Sequence, residues 1–132
     1  MQINERNDEI KQVADSYNFT DSFQLNIPTT TLDQYSINDL ISKFSKVIKD
    51  VQPSIVYLPF KGDVHSDHRI VFNVAFTCNK TFNYPFINKV LMMETLSETE
   101  FAPAVIENIF IPNSFVNISS FIDQKIDIMK IF

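Results

Sequence analysis

Between Pro53 and Pro59 the chain reads Ser-Ile-Val-Tyr-Leu, with four apolar residues in direct succession. In a strand successive side chains point to opposite faces, so this run offers apolar groups to both. Such a strand has to be covered on two sides, which is the situation of a parallel strand between layers of helix. The flanking sequence agrees. Ile37, Leu40, Ile41, Phe44, Val47 and Ile48 hold the helical period for over three turns, with Ser36 as a candidate N-cap and Pro53 as the stop. Beyond the run, Ile70 to Cys78 is apolar nearly all round, as a buried helix would be, with its first turn near Asp67 or His68. Lys89 to Thr95, through Val90, Leu91, Met92 and Met93, reads as a second strand with Glu94 at its carboxyl end. Helix, strand, helix, strand is the order of the α/β class.

The outer parts of the chain are less constrained. Ile3 to Tyr17 has the apolar spacing of an amphipathic helix, and Phe23, Leu25 and Ile27 alternate with Gln24 and Asn26 as in a short strand ended by Pro28. Leu96 to Pro103 is a polar loop rich in acids. Ile109, Ile111, Phe115 and Val116 suggest a last extended segment, interrupted at Pro112-Asn113, and Ser119 or Ser120 is a candidate cap for a terminal helix carrying Phe121, Ile122, Ile126, Met129 and Phe132. With 132 residues, no repeat and no linker composition, residues 1–132 read as a single domain.

Composition removes several classes of function. A net charge of −5 without clustered Lys or Arg argues against nucleic acid as a partner. No run approaches a membrane span and the N-terminus lacks an apolar signal region, so the chain reads as cytoplasmic. Cys78 is the only cysteine, which excludes a disulfide framework and a cysteine zinc site and suits a buried, inert thiol. The only glycine is Gly62, so nucleotide binding through a glycine-rich phosphate loop is excluded.

That glycine and both histidines fall in one loop, Pro59 to Arg69, PFKGDVHSDHR. A loop at the carboxyl end of a buried strand is where open α/β sheets place their ligands. His65 and His68 stand three residues apart, and if the second begins a helix the two rings face one cleft. Neutral imidazole is a common zinc ligand, and Asp67 is placed to orient a ring as its hydrogen-bond partner. Catalytic zinc takes three protein ligands, however, so spacing alone leaves two readings open: metal chemistry, or a solvated polar loop. Glu94, Glu98 and Glu100 read as a solvated acidic loop, Met92-Met93 as core, and Arg6 with Glu9 as an exposed helix face.

The same residues support more than spacing. Pro53-Ser-Ile-Val-Tyr-Leu-Pro59, followed by Gly62-Asp-Val-His-Ser-Asp-His-Arg69, resembles the second signature of the LmbE-like, or PIG-L, family of zinc-dependent N-acetylglucosamine deacetylases. Arg6-Asn-Asp-Glu9 resembles the family's Arg-x-x-Glu segment and Met93 to Phe101 its Glu-Thr loop. Phe110 to Ile118 with Asp123-Gln-Lys-Ile126 resembles its closing Pro-Asn stretch and Lys-containing helix. The resemblance implies a Rossmann-like, mostly parallel sheet flanked by helices. It implies a zinc-bound water attacking the acetyl carbonyl of an N-acetylated amino sugar, with His68 as a zinc ligand and His65 stabilising the oxyanion or handling a proton. Asp67 would tune that imidazole, and Arg6 would be a candidate contact for substrate hydroxyls.

The departures are equally specific. The family's first signature, of the Ala-His-Pro-Asp-Asp-Glu type, supplies two further zinc ligands and the general base, and nothing here matches it; Pro28-Thr-Thr30 stands where relatives often carry Pro-Asp-Gly. The expectation is an N-terminally truncated family domain, incomplete or inactive alone, with zinc weak or absent unless the enzyme is complete. The alternatives are a non-catalytic carbohydrate-binding remnant of the same fold and a site completed by a second copy in a homo-oligomer. A missing central strand would bare the flank of Ile55 to Leu58, which predicts an aggregation-prone chain.

Overall fold

The computed structural model describes residues 3–80 and 82–131, and its apolar run becomes strand β1 (Ile55–Pro59), paired in parallel with β2 (Lys89–Met93). Two helices belong to the same unit, α2 (Ile37–Val51) before β1 and α3 (Ser66–Thr77) as the crossover from β1 to β2. The α/β class expected from the sequence is therefore present, on a sheet of two strands among the described residues. Val56 faces Val90 across the ladder and Leu58 faces Met92. Val56 and Val90 pack with Ile41 and Phe44 of α2 against a core of Ile48, Cys78, Tyr84 and Ile87. Leu40 is 1% exposed, and burying a leucine so fully contributes roughly 1.5–3 kcal/mol.

The opposite face differs from the expectation of a strand covered on both sides. Ile55 and Tyr57 are 47% and 55% exposed, with Met93 of β2 beside them at 45%. One face of this small parallel sheet meets the helices, and the other stays open and apolar. In α3, likewise, Val74 and Ala75 are buried while Phe76, stacked on Phe72 at 5.2 Å, is exposed. The helix expected to be buried all round is buried on one side.

The element ends follow from local chemistry. Ser36 occupies the N-cap position of α2 in extended conformation, although its side chain makes no capping bond. At the other end Gln52 turns left-handed (φ 51°) and returns its N–H to Ile48 O at 2.9 Å, and Pro53, which lacks an N–H, prevents another turn. Cys78 follows α3, buried, with its Sγ 3.3 Å from Ser45 Oγ.

Contacts divide the chain into two units, Met1–Gln24 with Pro112–Phe132, and Leu25–Ile111. The first holds α1 (Ile3–Ser16) and α4 (Ile122–Ile128), the latter between 3-10 turns at Ser119–Phe121 and Met129–Ile131. Gln124 Nε2 donates to Ser16 O at 3.0 Å. The cap of α4 is Phe121, not the expected Ser119 or Ser120, which lie in the preceding turn; Phe132 is outside the described residues. Two expected extended segments form no strand among the described residues. Asn26 has φ 53° and breaks the alternation of Phe23, Leu25 and Ile27, and Ile109 to Val116 follows a 3-10 turn at Ile106–Asn108 without a partner to pair with. Alternation marks two faces but does not supply a neighbouring strand. No described helix is long and apolar enough to cross a membrane.

Candidate active site

The loop after β1 and the loop after β2 meet at the carboxyl ends of the two parallel strands, where open α/β sheets place their ligands. Val64 N–H donates to Glu98 O at 3.2 Å, joining them. Arg69 fastens the first loop to its own helix, Nη1 donating to Asp63 O at 2.8 Å and Val64 O at 2.6 Å.

Gly62 is the hinge of this packing for a steric reason. A Cβ there would lie 2.5 Å from Phe60 Cε1 and 3.2 Å from Asn108 Cα. The Phe60 ring is buried and set edge-on to Phe110 at 5.1 Å. Only a residue without a side chain fits between the ring and that backbone.

His65 is the N-cap of α3. Its backbone is extended (φ −67°, ψ 123°) and its Nδ1 accepts the Asp67 N–H at 3.1 Å, satisfying one of the helix's unpaired amide donors. A backbone amide only donates, so Nδ1 carries no proton, and the neutral ring is protonated at Nε2. Starting the helix at Ser66 brings His68 one turn above His65, and the rings stack at 4.8 Å with 20° between their planes. The two rings come together as the spacing suggests, although the helix begins at Ser66 and not at His68.

His68 has the opposite tautomer. Its Nδ1 lies 2.9 Å from Asp63 Oδ2. Asp63 is fully buried, and its Oδ1 accepts the Thr99 hydroxyl at 2.7 Å. A carboxylate accepts, so the His68 proton sits on Nδ1 and the Nε2 lone pair remains. Nε2 bonds none of the described residues. The carboxylate facing an imidazole is thus that of Asp63. The Asp67 carboxylate points elsewhere: Oδ2 accepts Thr30 N–H at 2.6 Å, and Oδ1 is buried without a partner. Asp67 acts on His65 through its main-chain amide. Thr30 itself holds φ 62°, the left-handed region where relatives' glycine in a Pro-Asp-Gly turn would be at ease.

Arg6 lies on α1 in the other unit, where its guanidinium pairs with Glu9 at 3.2 Å. In the second loop, Glu94 is exposed and Glu100 is spent on the turn, accepting Ser97 N–H at 2.7 Å. Thr99 lies in the Met93–Phe101 stretch that resembles the family's Glu-Thr loop, and nothing else in the sequence marks it. It is 36 residues from Asp63, and no local spacing signals a bond of that reach.

A family model described as PIG-L, GlcNAc-PI de-N-acetylase, matches residues 2–79. That is well over half of the 132 residues, and it includes Arg6, Gly62, Asp63 and both histidines. The chain belongs to the PIG-L family. The Glu-Thr and Pro-Asn stretches that also resemble the family lie beyond the matched span. Searches of curated proteins and of solved structures gave no match.

PIG-L membership raises the question of zinc, and the donor set answers it in part. His68 fits a ligand: a lone pair on Nε2 and a carboxylate on Nδ1 are the arrangement of a metal-binding histidine. His65 is protonated at the corresponding nitrogen, and both Asp63 oxygens are engaged. Among the described residues no group of three or more His, Cys, Asp or Glu side chains could hold a metal ion. These residues alone do not make up a zinc centre, which takes three protein ligands.

Proposed function

We propose that this chain carries the histidine half of a hydrolase site that removes the acetyl group from an N-acetylated amino sugar of the GlcNAc type. Membership of the PIG-L family supports the substrate class. The observation that carries the reading is the stacked His65–His68 pair, whose rings offer opposite chemistry at adjacent positions.

His65 presents Nε2–H, a donor for the oxygen that becomes negative when the amide carbon turns tetrahedral. A donor aimed at developing charge is worth roughly 10²–10³ in rate. His68 presents a lone pair, held in place by Asp63. Arg6 is proposed to contact substrate hydroxyls. The two further ligands and the general base come from outside these residues, in a segment of the His-Pro-Asp-Asp type, and the chain alone is incomplete. The half-exposed apolar face at Ile55, Tyr57 and Met93 fits a larger, Rossmann-like parallel sheet, since parallel strands are ordinarily covered on both faces.

Acetate release from a GlcNAc conjugate tests this, with zinc present, for the chain alone and with a His-Pro-Asp-Asp segment supplied in trans. The expected result is no turnover alone and turnover on addition that His65→Ala abolishes. Tight stoichiometric zinc with turnover from these residues alone contradicts the reading. The departures from the family's first signature leave a second reading, a carbohydrate-binding protein without the reaction. Sugar affinity that ignores chelators and survives His68→Ala identifies it.

A further inference from the structure

The bond between Asp63 and Thr99 has a direction, and the direction is set by the main chain. Thr95 N–H donates to Thr99 Oγ1 at 2.8 Å. With an incoming amide on its oxygen, the Thr99 hydroxyl directs its own hydrogen onward to Asp63 Oδ1 at 2.7 Å. Asp63 then accepts the His68 Nδ1–H on its other oxygen at 2.9 Å. Thr99 is 6% and Asp63 0% exposed, so water does not compete along this line.

We propose that Thr99 is a positioning residue: its hydroxyl locks the orientation of Asp63, and through Asp63 it keeps His68 in the tautomer whose Nε2 lone pair is available. The relay begins at a turn of the loop after β2, so the register of that loop is read out at an imidazole 31 residues earlier (99 − 68). Only the catalytic consequence rests on the deacetylase reading; the lock itself is a property of the fold.

The lock makes an unusual demand on Asp63→Asn. Thr99 still receives the Thr95 amide and still has a hydrogen to place. Turning that hydrogen away from residue 63 would leave it unpaired in a buried site, which is the costlier choice. The new amide must therefore give its oxygen to Thr99 and its NH2 group to His68. Nδ1 becomes an acceptor and the ring proton moves to Nε2, as happens when an amide replaces a carboxylate behind a catalytic histidine. If Thr99→Val is added, nothing fixes the amide, and His68 is no longer held to one form, so both tautomers are populated.

The experiment is ¹⁵N–¹H correlation of the imidazoles of the full chain, at a pH where both rings are neutral. Native His68 is expected as Nδ1–H and His65 as Nε2–H, the latter unchanged throughout as an internal control. D63N and D63N/T99S are expected to convert His68 to Nε2–H, and D63N/T99V to show both tautomers. A His68 that stays Nδ1–H in D63N, or is as wholly Nε2–H in D63N/T99V as in D63N, overturns the proposal. Should the Asp63 variants not fold, the native background decides: Thr99→Val is expected to speed solvent exchange of the His68 Nδ1–H and Thr99→Ser to leave it as in the native chain, and an unchanged exchange rate in T99V refutes the lock. Acetate release plays no part in these readings, so failure of the lock and failure of the deacetylase proposal are separate results.

Discussion

Replacing Gly62 by alanine adds one methyl group at the most crowded point beside the site. The new Cβ meets Phe60 Cε1 at 2.5 Å, Phe60 Cζ at 3.0 Å and Asn108 Cα at 3.2 Å. Ordinary carbon contacts lie at about 3.5–4.0 Å, so the Phe60 ring edge has to retreat by about 1 Å. It has little room, being 3% exposed and edge-on to Phe110, and on the other side the obstacle is backbone. Overpacking of this kind costs about 1–3 kcal/mol. Gly62 does not use a left-handed φ, so alanine brings no backbone strain and recovers about 0.4–1 kcal/mol by restricting the unfolded chain. The net is a loss of about 1–2 kcal/mol, read as a lower urea midpoint with an unchanged slope. Shortening the ring by Phe60→Leu removes the atoms in conflict, so the double variant should be more stable than the two single losses sum to, by about 0.5 kcal/mol or more. An alanine variant as stable as the native chain, or losses that simply add, would refute the steric account of the lone glycine.

Thr30→Gly removes a β-branched residue from φ 62°; the relief of about 1–2 kcal/mol less glycine's entropy cost of about 0.5–1 kcal/mol gives a neutral to slightly stabilised chain, checked by thermal melting. His65→Ala deletes the cap of α3 and should cost about 0.5–2 kcal/mol, whereas His65→Asn keeps an acceptor for the Asp67 amide and should recover most of it in urea titration. Tyr57→Lys places a charge on the open face of the sheet and should reduce aggregation in light scattering, because charge on an unprotected strand blunts association.

The parts of the fold that were legible are those in which pattern and partner coincide. The stripe of α2, the unbroken run of β1 and the apolar run of β2 each carry their own period, and each lies where the sequence places it. Phe23 to Ile27 has the period without the partner, and a left-handed Asn26 ends it. The site divides in the same way. Two histidines at a three-residue spacing announce themselves, and a helix beginning between them stacks the rings. The rest is distance and direction. Histidine is not a favoured cap, so nothing local foretold that His65 would start α3 with its Nδ1. Asp63 rather than Asp67 reaches His68 because the turn at Gly62 carries its carboxylate inward, and Thr99 meets it only after the chain has passed through α3 and β2.

The division of labour between the rings is the centre of this account, and zinc titration of the full chain, followed calorimetrically, addresses it most directly. His68 offers a lone pair and His65 a proton, so zinc should bind weakly to the native chain. His65→Asn, which keeps the helix cap, should leave that affinity nearly intact. His68→Ala should lower it by more than the roughly 10–100-fold that loss of a supporting hydrogen bond costs. Affinity that falls with His65→Asn and survives His68→Ala would contradict the assignment of the two imidazoles.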